Sequence, residues 1–391
     1  MSELEKIHLE LCMSTVFRSV LDKPLFKSFA ALFGSFVKDD ERICSYAALV
    51  SEVYKNGSSL TDLVSRLIFE DENVYVKARA KRLPIDKNIE CAVARELAVF
   101  EKFASLTPEH FRTELGVEYV SPFSSDKIDL ASAYEERIKD VKNVGYGIFS
   151  SYPMFRLSED MKIVPIISAD KITVDKFVGY EDEREKVMLN TEAFIEGRPA
   201  ANVLLCGDAG TGKSSTVKAV VNEFFNRGIR LIELRKDQLS ALPYVMGKVS
   251  ENPLKFIIFI DDLAFNRSDD NFSMLKAALE GSASAKADNA VIYATSNRRH
   301  IIKESFEDRD GTDVHRNDTL QETLSLSERF GLVVLFSKPD KKLYLEIIHR
   351  LAERNGIKMD TNELDIKAEA FALRRGNRSA RCAEQFIESL L

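Results

Sequence analysis

The sequence predicts an α/β fold, a five-stranded parallel sheet in a three-layer αβα arrangement, with helical segments before and after it. Three observations carry this. Between residues 171 and 337 short apolar runs alternate with helical stretches, the pattern of a parallel sheet covered on both faces. One run passes through a glycine-rich turn, Gly207 to Ser214, straight into a helix. Outside that region, before residue 120 and after Pro339, apolar residues recur at helical spacing.

Residues 1–120 read as a helical domain, with stripes such as Leu25, Phe26, Phe29, Leu32 and Phe33, then Val93, Ala94, Leu97 and Phe100. No recognisable chemistry sits there, and partner binding is the expected role. Its basic cluster, Lys77, Arg79, Lys81 and Arg82, is short enough to be a solvated helix face; a phosphate-contacting patch is the other reading. Residues 121–170 are punctuated by Ser121-Pro122, Gly145, Gly147, Pro153 and Pro165 and read as a connector with some strand. A charged helix is expected from near Glu183. The five strands are then Asn202–Cys206, Arg230–Leu234, Phe256–Ile260, Ala290–Thr295 and Leu332–Phe336, and residues 338–391 form a helical lid.

The run Gly207-Asp208-Ala209-Gly210-Thr211-Gly212-Lys213-Ser214 fits the pattern G-x-x-x-x-G-K-[ST] at every fixed position. Glycines let consecutive backbone N–H groups turn inward around phosphates, and the helix start behind them adds partial positive charge. Lys213 would reach the β- and γ-phosphates, Ser214 would sit on Mg²⁺, and Ser215 continues the loop into the helix. The expected ligands are therefore ATP and Mg²⁺.

Two more strand ends carry polar groups. Phe256 to Ile260 runs into Asp261-Asp262, and unpaired acids cost several kcal/mol to bury, so they belong at a sheet edge beside a cation. Asp261 is assigned to the metal and Asp262 to polarising the attacking water. Asn297, after Ala290–Thr295, would orient that water, with Thr295 able to share the role. A strand-capping turn is the plain alternative.

The ordered set of G-x-x-G-x-G-K-S, strand-Asp261-Asp262, strand-Thr295-Ser296-Asn297 and Glu328-Arg329-Phe330-Gly331, followed by a basic helical tail, resembles the AAA+ ATPase family. The resemblance runs from about Asp170 to Leu391. It implies that Arg329 is an arginine finger acting on a neighbouring subunit's nucleotide; an ion pair with Glu328 is the structural alternative. It implies that a lid arginine, Arg378 or Arg381, contacts the γ-phosphate in cis, and that Val178 and Gly179 lie beside the adenine. A head-to-tail ring, a hexamer by family likeness, follows from the finger. Asp262 stands where many members carry Glu, as in replication initiators and helicase loaders, so turnover is expected at an open rate. The segments around Asp261-Asp262, Thr295–His300 and Ser325–Gly331 look most like a bacterial AAA+ family known as a domain of unknown function.

Composition narrows the rest. A net charge of −7 argues against a broadly basic nucleic-acid surface. The five cysteines have no C-x-x-C spacing and are expected to be reduced, buried thiols. No histidine pair suits a catalytic metal, the N-terminus fits neither a secretory nor a transit signal, and no apolar run spans a bilayer, so a cytoplasmic protein without a membrane partner is expected. The acidic stretch with Glu304, Glu307, Asp308, Asp310, Asp313 and Asp318 reads as a surface loop. Remodelling or loading a macromolecule by ATP hydrolysis is the leading reading. The alternatives are an ATP-switched binding module like a helicase loader, motivated by Arg298, Arg299 and the Lys77–Arg82 cluster, and a small-molecule P-loop kinase.

Overall fold

In a computed structural model of the chain the described residues are 1–34, 38–263, 270–279, 287–297 and 329–391. The chain divides into two compact units, Met1–Ser151 and Tyr152–Leu391.

The first unit is helical. Its helices are α1 (Glu3–Cys12), α2 (Pro24–Ala30), α3 (Asp39–Lys55), α4 (Leu60–Phe69), α5 (Val74–Ala80), α6 (Lys87–Ala104), α7 (Pro108–Leu115), α8 (Leu130–Lys139) and α9 (Val141–Val144). Local chemistry sets their starts. Ser2 and Glu5 close a capping box, Ser59, Asn73 and Asp129 accept N–H groups of the turns that follow, and Pro24 and Pro108 occupy first turns, where a missing N–H costs nothing. Phe17, Phe26, Phe29, Phe100, Phe103 and Phe111 form an aromatic centre. The buried carboxylate of Glu96 is fully used, because it accepts the backbone N–H groups of Thr15, Val16 and Phe17. The five cysteines are free, but Cys12, Cys44 and Cys91 are exposed and only Cys206 and Cys382 are buried. The first three lie on the outward faces of α1, α3 and α6, whose inner stripes are filled by larger apolar side chains.

The stretch 121–170 divides between the units. Leu130, Tyr134 and Ile138 of α8 enter the first core, while β1 (Met154–Leu157) and β2 (Ile163–Pro165) join the sheet of the second.

That sheet has seven strands. To the five expected, β3 (Val203–Gly207), β4 (Ile229–Leu234), β5 (Lys255–Ile260), β6 (Ala290–Ser296) and β7 (Leu332–Phe336), it adds the parallel β1 and the antiparallel β2 beyond β4. The order is β2-β1-β4-β5-β6-β3-β7. Every residue of β3 is buried, which explains its uninterrupted apolar run. Fully burying such side chains contributes about 1.5–3 kcal/mol each. On one face α10 (Glu181–Ile195) and α11 (Lys213–Phe224) pack through Val187, Phe194, Val217 and Val220. On the other lies α12 (Leu242–Ser250), and α13 (Asp270–Leu279) follows β5. The lid helices α14 (Lys341–Arg354), α15 (Thr361–Arg375) and α16 (Ala380–Glu388) share their own core around Tyr344, Ile348, Ala368 and Phe386. Among the described residues no helix is long and apolar enough to cross a membrane.

Strand order positions the chemistry. β6 lies between β3 and β5, with Leu205 opposite Thr295 and Ile260 opposite Ala294. The carboxyl ends of three neighbouring parallel strands therefore deliver Gly207, Asn297 and Asp261-Asp262 to one edge.

Candidate functional site

The loop after β3 requires glycine by geometry. At Gly207 φ is +140°, and a Cβ there would stand 1.9 Å from the carbonyl oxygen of Phe336, backbone that cannot step aside. Gly210 has φ +76° and packs against Ser379 at the start of α16, so any side chain would meet the lid. Thr211 Oγ1 donates to Asp208 O at 2.9 Å, and the Asp208 carboxylate accepts Lys338 N–H at 3.1 Å, fixing the turn to the residues after β7. Among the described residues the backbone N–H groups of Gly210 through Ser215 have no protein acceptor. That row of donors at the start of α11 is what an oxyanion needs.

Lys213 is the first residue of α11, and only 5% exposed. Its ammonium donates to Gly207 O at 3.0 Å, Asp208 O at 2.7 Å and Asn297 Oδ1 at 3.1 Å. Burial lowers its pKa, and the negative charges of Asp208 and Asp261 oppose that shift.

Ser214 Oγ donates to Asp261 Oδ1 at 2.6 Å, and Thr295 Oγ1 donates to the same oxygen at 2.5 Å. Thr295 Oγ1 also accepts Asp262 N–H at 2.9 Å, while Asn297 Nδ2 donates to Asp262 Oδ1 at 2.7 Å. Asp262 holds φ +51°, a left-handed conformation that aspartate tolerates better than most residues. Lys213, Asn297 and Asp262 thus form one hydrogen-bonded chain, and Ser214, Asp261 and Thr295 another. Thr295 joins the two acids. The register of β6 beside β5 sets Thr295, which the sequence reading gave a share in holding water, against both acids.

The site fits the nucleotide and metal expected. Three positive-φ glycines make room for phosphate oxygens, and Ser214 with Asp261 offers the hard oxygen donors that Mg²⁺ takes.

Toward the lid a cleft is walled by Phe177, Val178, Tyr180, Arg184, Gly210, Gly212, Ser215, Ile347 and Arg381. Val178 is on its wall, whereas Gly179 serves the backbone: a Cβ there would meet Leu343 at 2.8 Å. Tyr180 Oη donates to Ser337 O at 2.6 Å and ties this segment to the core–lid junction. The two lid arginines separate. Arg378 is engaged twice by Glu369, at 2.9 and 2.8 Å, while Arg381 lines the cleft and its N–H reaches Gly210 O at 3.3 Å. Ala209 is exposed at the tip of the loop. Arg329 precedes β7 at the edge opposite the phosphate loop, since β7 meets Gly207 only at its last residue, Phe336. Glu328, Arg298, Arg299 and the acidic stretch from Glu304 to Asp318 lie outside the described residues.

No curated protein matches the chain. Among solved structures it is similar to the RuvB Holliday junction branch migration motor of Thermotoga maritima, at 14% identity and a TM-score of 0.35 over 57% of this chain and 72% of that one. Two substituted forms of the same protein match at 16% identity with the same TM-score and coverage. A family model described as protein of unknown function (DUF815) matches residues 150–391, the whole of the sheet-and-lid unit. Its loop after β3, mostly parallel seven-stranded sheet and helical lid lie within the matched residues, and the chain belongs to the DUF815 family.

Proposed function

We propose that the protein binds ATP with Mg²⁺ and hydrolyses it at an interface between subunits in order to remodel or load a macromolecular partner. The observation that carries this reading is the pair of hydrogen-bonded chains, Lys213–Asn297–Asp262 and Ser214–Asp261–Thr295, closing on a glycine cradle.

Each residue then has a task. The N–H groups from Gly210 to Ser215 hold phosphate oxygens, and Lys213 exchanges the carbonyls of Gly207 and Asp208 for the β- and γ-phosphates. Asp262 and Asn297 align a water for in-line attack, with Asp262 accepting its proton. Ser214 and Asp261 would hold Mg²⁺, which supplies charge neutralisation at the phosphates. Arg381 is the lid residue assigned to the γ-phosphate, because Arg378 is already paired with Glu369.

Arg329 is assigned to a neighbouring subunit's site. Leu332 to Phe336 alone spans about 13 Å of strand, and Arg329 lies beyond its far end, out of reach of the phosphate loop in its own chain. Such a finger supplies roughly 10³–10⁵ in kcat. The helical unit Met1–Ser151 is the proposed partner-binding end. Nucleic acid is not its proposed ligand, since Lys77 pairs with Glu72 at 3.4 Å and Arg79 lies over Tyr75 at 5.4 Å.

Mixing tests the assembly. Lys213→Ala removes the pocket but keeps the finger, and Arg329→Ala does the reverse. Each alone should release phosphate at background rate, while an equal mixture should recover about a quarter of the wild-type rate, the share of interfaces that pair an intact pocket with an intact finger in a randomly mixed closed ring. A mixture no better than its parts would overturn the shared site, and no phosphate release by wild type would overturn hydrolysis. A switch with little turnover is the second reading, favoured by the short, left-handed Asp262. It would show tight ATP binding without release.

A further inference from the structure

Of the charged side chains lining the cleft that the proposed mechanism does not use, Lys176, Arg184 and Glu384, only Arg184 is buried. Arg184, in the first turns of α10, is only 5% exposed. A guanidinium carries five N–H donors, each of which needs an acceptor or water. Yet among the described residues none lies within hydrogen-bonding distance of it. Its nearest carboxylate oxygen, Glu181 Oε1, is 3.7 Å away and already accepts the N–H of Gly179 at 3.0 Å. Instead the guanidinium lies over the ring of Phe177, 5.2 Å from its centroid.

That ring is placed by the phosphate loop. Its Cε1 is 3.8 Å from where a Cβ on Gly212 would stand, so Gly212, Phe177 and Arg184 are stacked in sequence along one wall of the cleft. Gly212 and Ser215 also line the cleft, at the start of the helix whose first N–H groups have no protein acceptor. Desolvation lowers the pKa of Arg184, and Glu181 and Glu183 counter it; the group stays a cation.

We propose that Arg184 is a nucleotide-binding residue, donating to the ribose and α-phosphate end of a nucleoside 5′-diphosphate or triphosphate while Phe177 holds its plane. This rests on the nucleotide reading given above. It differs from the roles of Lys213 and Arg381, which address the terminal phosphates. The contact is shared by product and substrate, so it sets affinity rather than the chemical step. An arginine whose donors meet acceptors only when ligand arrives also costs the ligand-free protein stability.

The test compares Arg184→Met, which keeps the stem packed on Phe177 but removes the charge, with wild type, using full-length protein and fluorescent ADP and ATP analogues. Both dissociation constants should rise by about 10- to 100-fold. The ratio between ADP and ATP should be unchanged, and melting without nucleotide should be unchanged or raised. Arg184→Lys should recover only part of the affinity, because an ammonium neither stacks nor forks. Wild-type affinity in Arg184→Met overturns the proposal, whatever its melting temperature, as does a loss confined to ATP. If wild type itself binds neither analogue, the nucleotide reading falls and this proposal with it; if wild type binds and the variant matches it, only this proposal falls.

Discussion

Thr295→Val is the sharpest perturbation of the candidate site, because it removes one oxygen and changes little else. The hydroxyl of Thr295 is buried, at 2% exposure for the residue, and makes two bonds: to Asp261 Oδ1 at 2.5 Å and from Asp262 N–H at 2.9 Å. A bond to a charged group is worth about 1.5–3 kcal/mol and a backbone bond about 0.5–1.5 kcal/mol. Water reaches Asp262, which is exposed, and repairs part of the loss. A net cost of about 2–3 kcal/mol remains. In a unit of this size each kcal/mol lowers Tm by about 2–4 °C, so a fall of roughly 4–12 °C is expected. The catalytic effect should be larger. Thr295 donates to Asp261, the proposed metal ligand, and loss of such a partner costs about 10- to 100-fold in metal affinity. Scanning calorimetry gives the first number, and phosphate release titrated with Mg²⁺ gives the second. Thr295→Ser keeps the oxygen and should stay near wild type in both. The reasoning fails if the valine form melts and titrates like wild type, or if the serine form is equally impaired.

Two further outcomes follow from contacts around the loop. Gly207→Ala drives a Cβ to 1.9 Å from Phe336 O in a left-handed backbone, so it should destabilise the unit by roughly 2–4 kcal/mol and abolish nucleotide binding, as melting and a binding titration would show. Arg378 lowers the pKa of Glu369 by a direct hydrogen bond, so this pair stabilises the lid above the ordinary glutamate range and its contribution is lost as pH falls through the depressed value. Arg378→Ala should flatten the acid side of the melting profile and leave nucleotide affinity intact.

The parts legible in the sequence are those set by short-range rules. Strands β3, β5 and β6 are buried on both faces, so they appear as bare apolar runs, and each passes into the residues it presents: Gly207, Asp261 and Asn297. The glycine cradle is legible for a different reason, since Gly207 has no alternative beside Phe336 O. β1 and β2 were legible only as some strand within a connector, because both are short. They have four and three residues, one ending in Pro165, and pairing with β4 on one side and β2 on the other makes the first a strand. Exposed cysteines in α1, α3 and α6 follow from helix phase, which a residue count ignores.

The remaining gaps concern pairs distant in sequence. Arg378 and Arg381 look alike at the opening of one helix. What separates them is Glu369 on the preceding helix, which takes Arg378 and leaves Arg381 to the cleft. Arg184 shows the same limit from the other side, since a charged residue in a helix that opens on acidic residues reads as solvated until packing against Phe177 buries it. In both cases the informative quantity is whether a cation's donors are already satisfied within the chain. The glycine pattern marks the loop after β3; the state of each cation's donors separates those held by the fold from those left to the cleft.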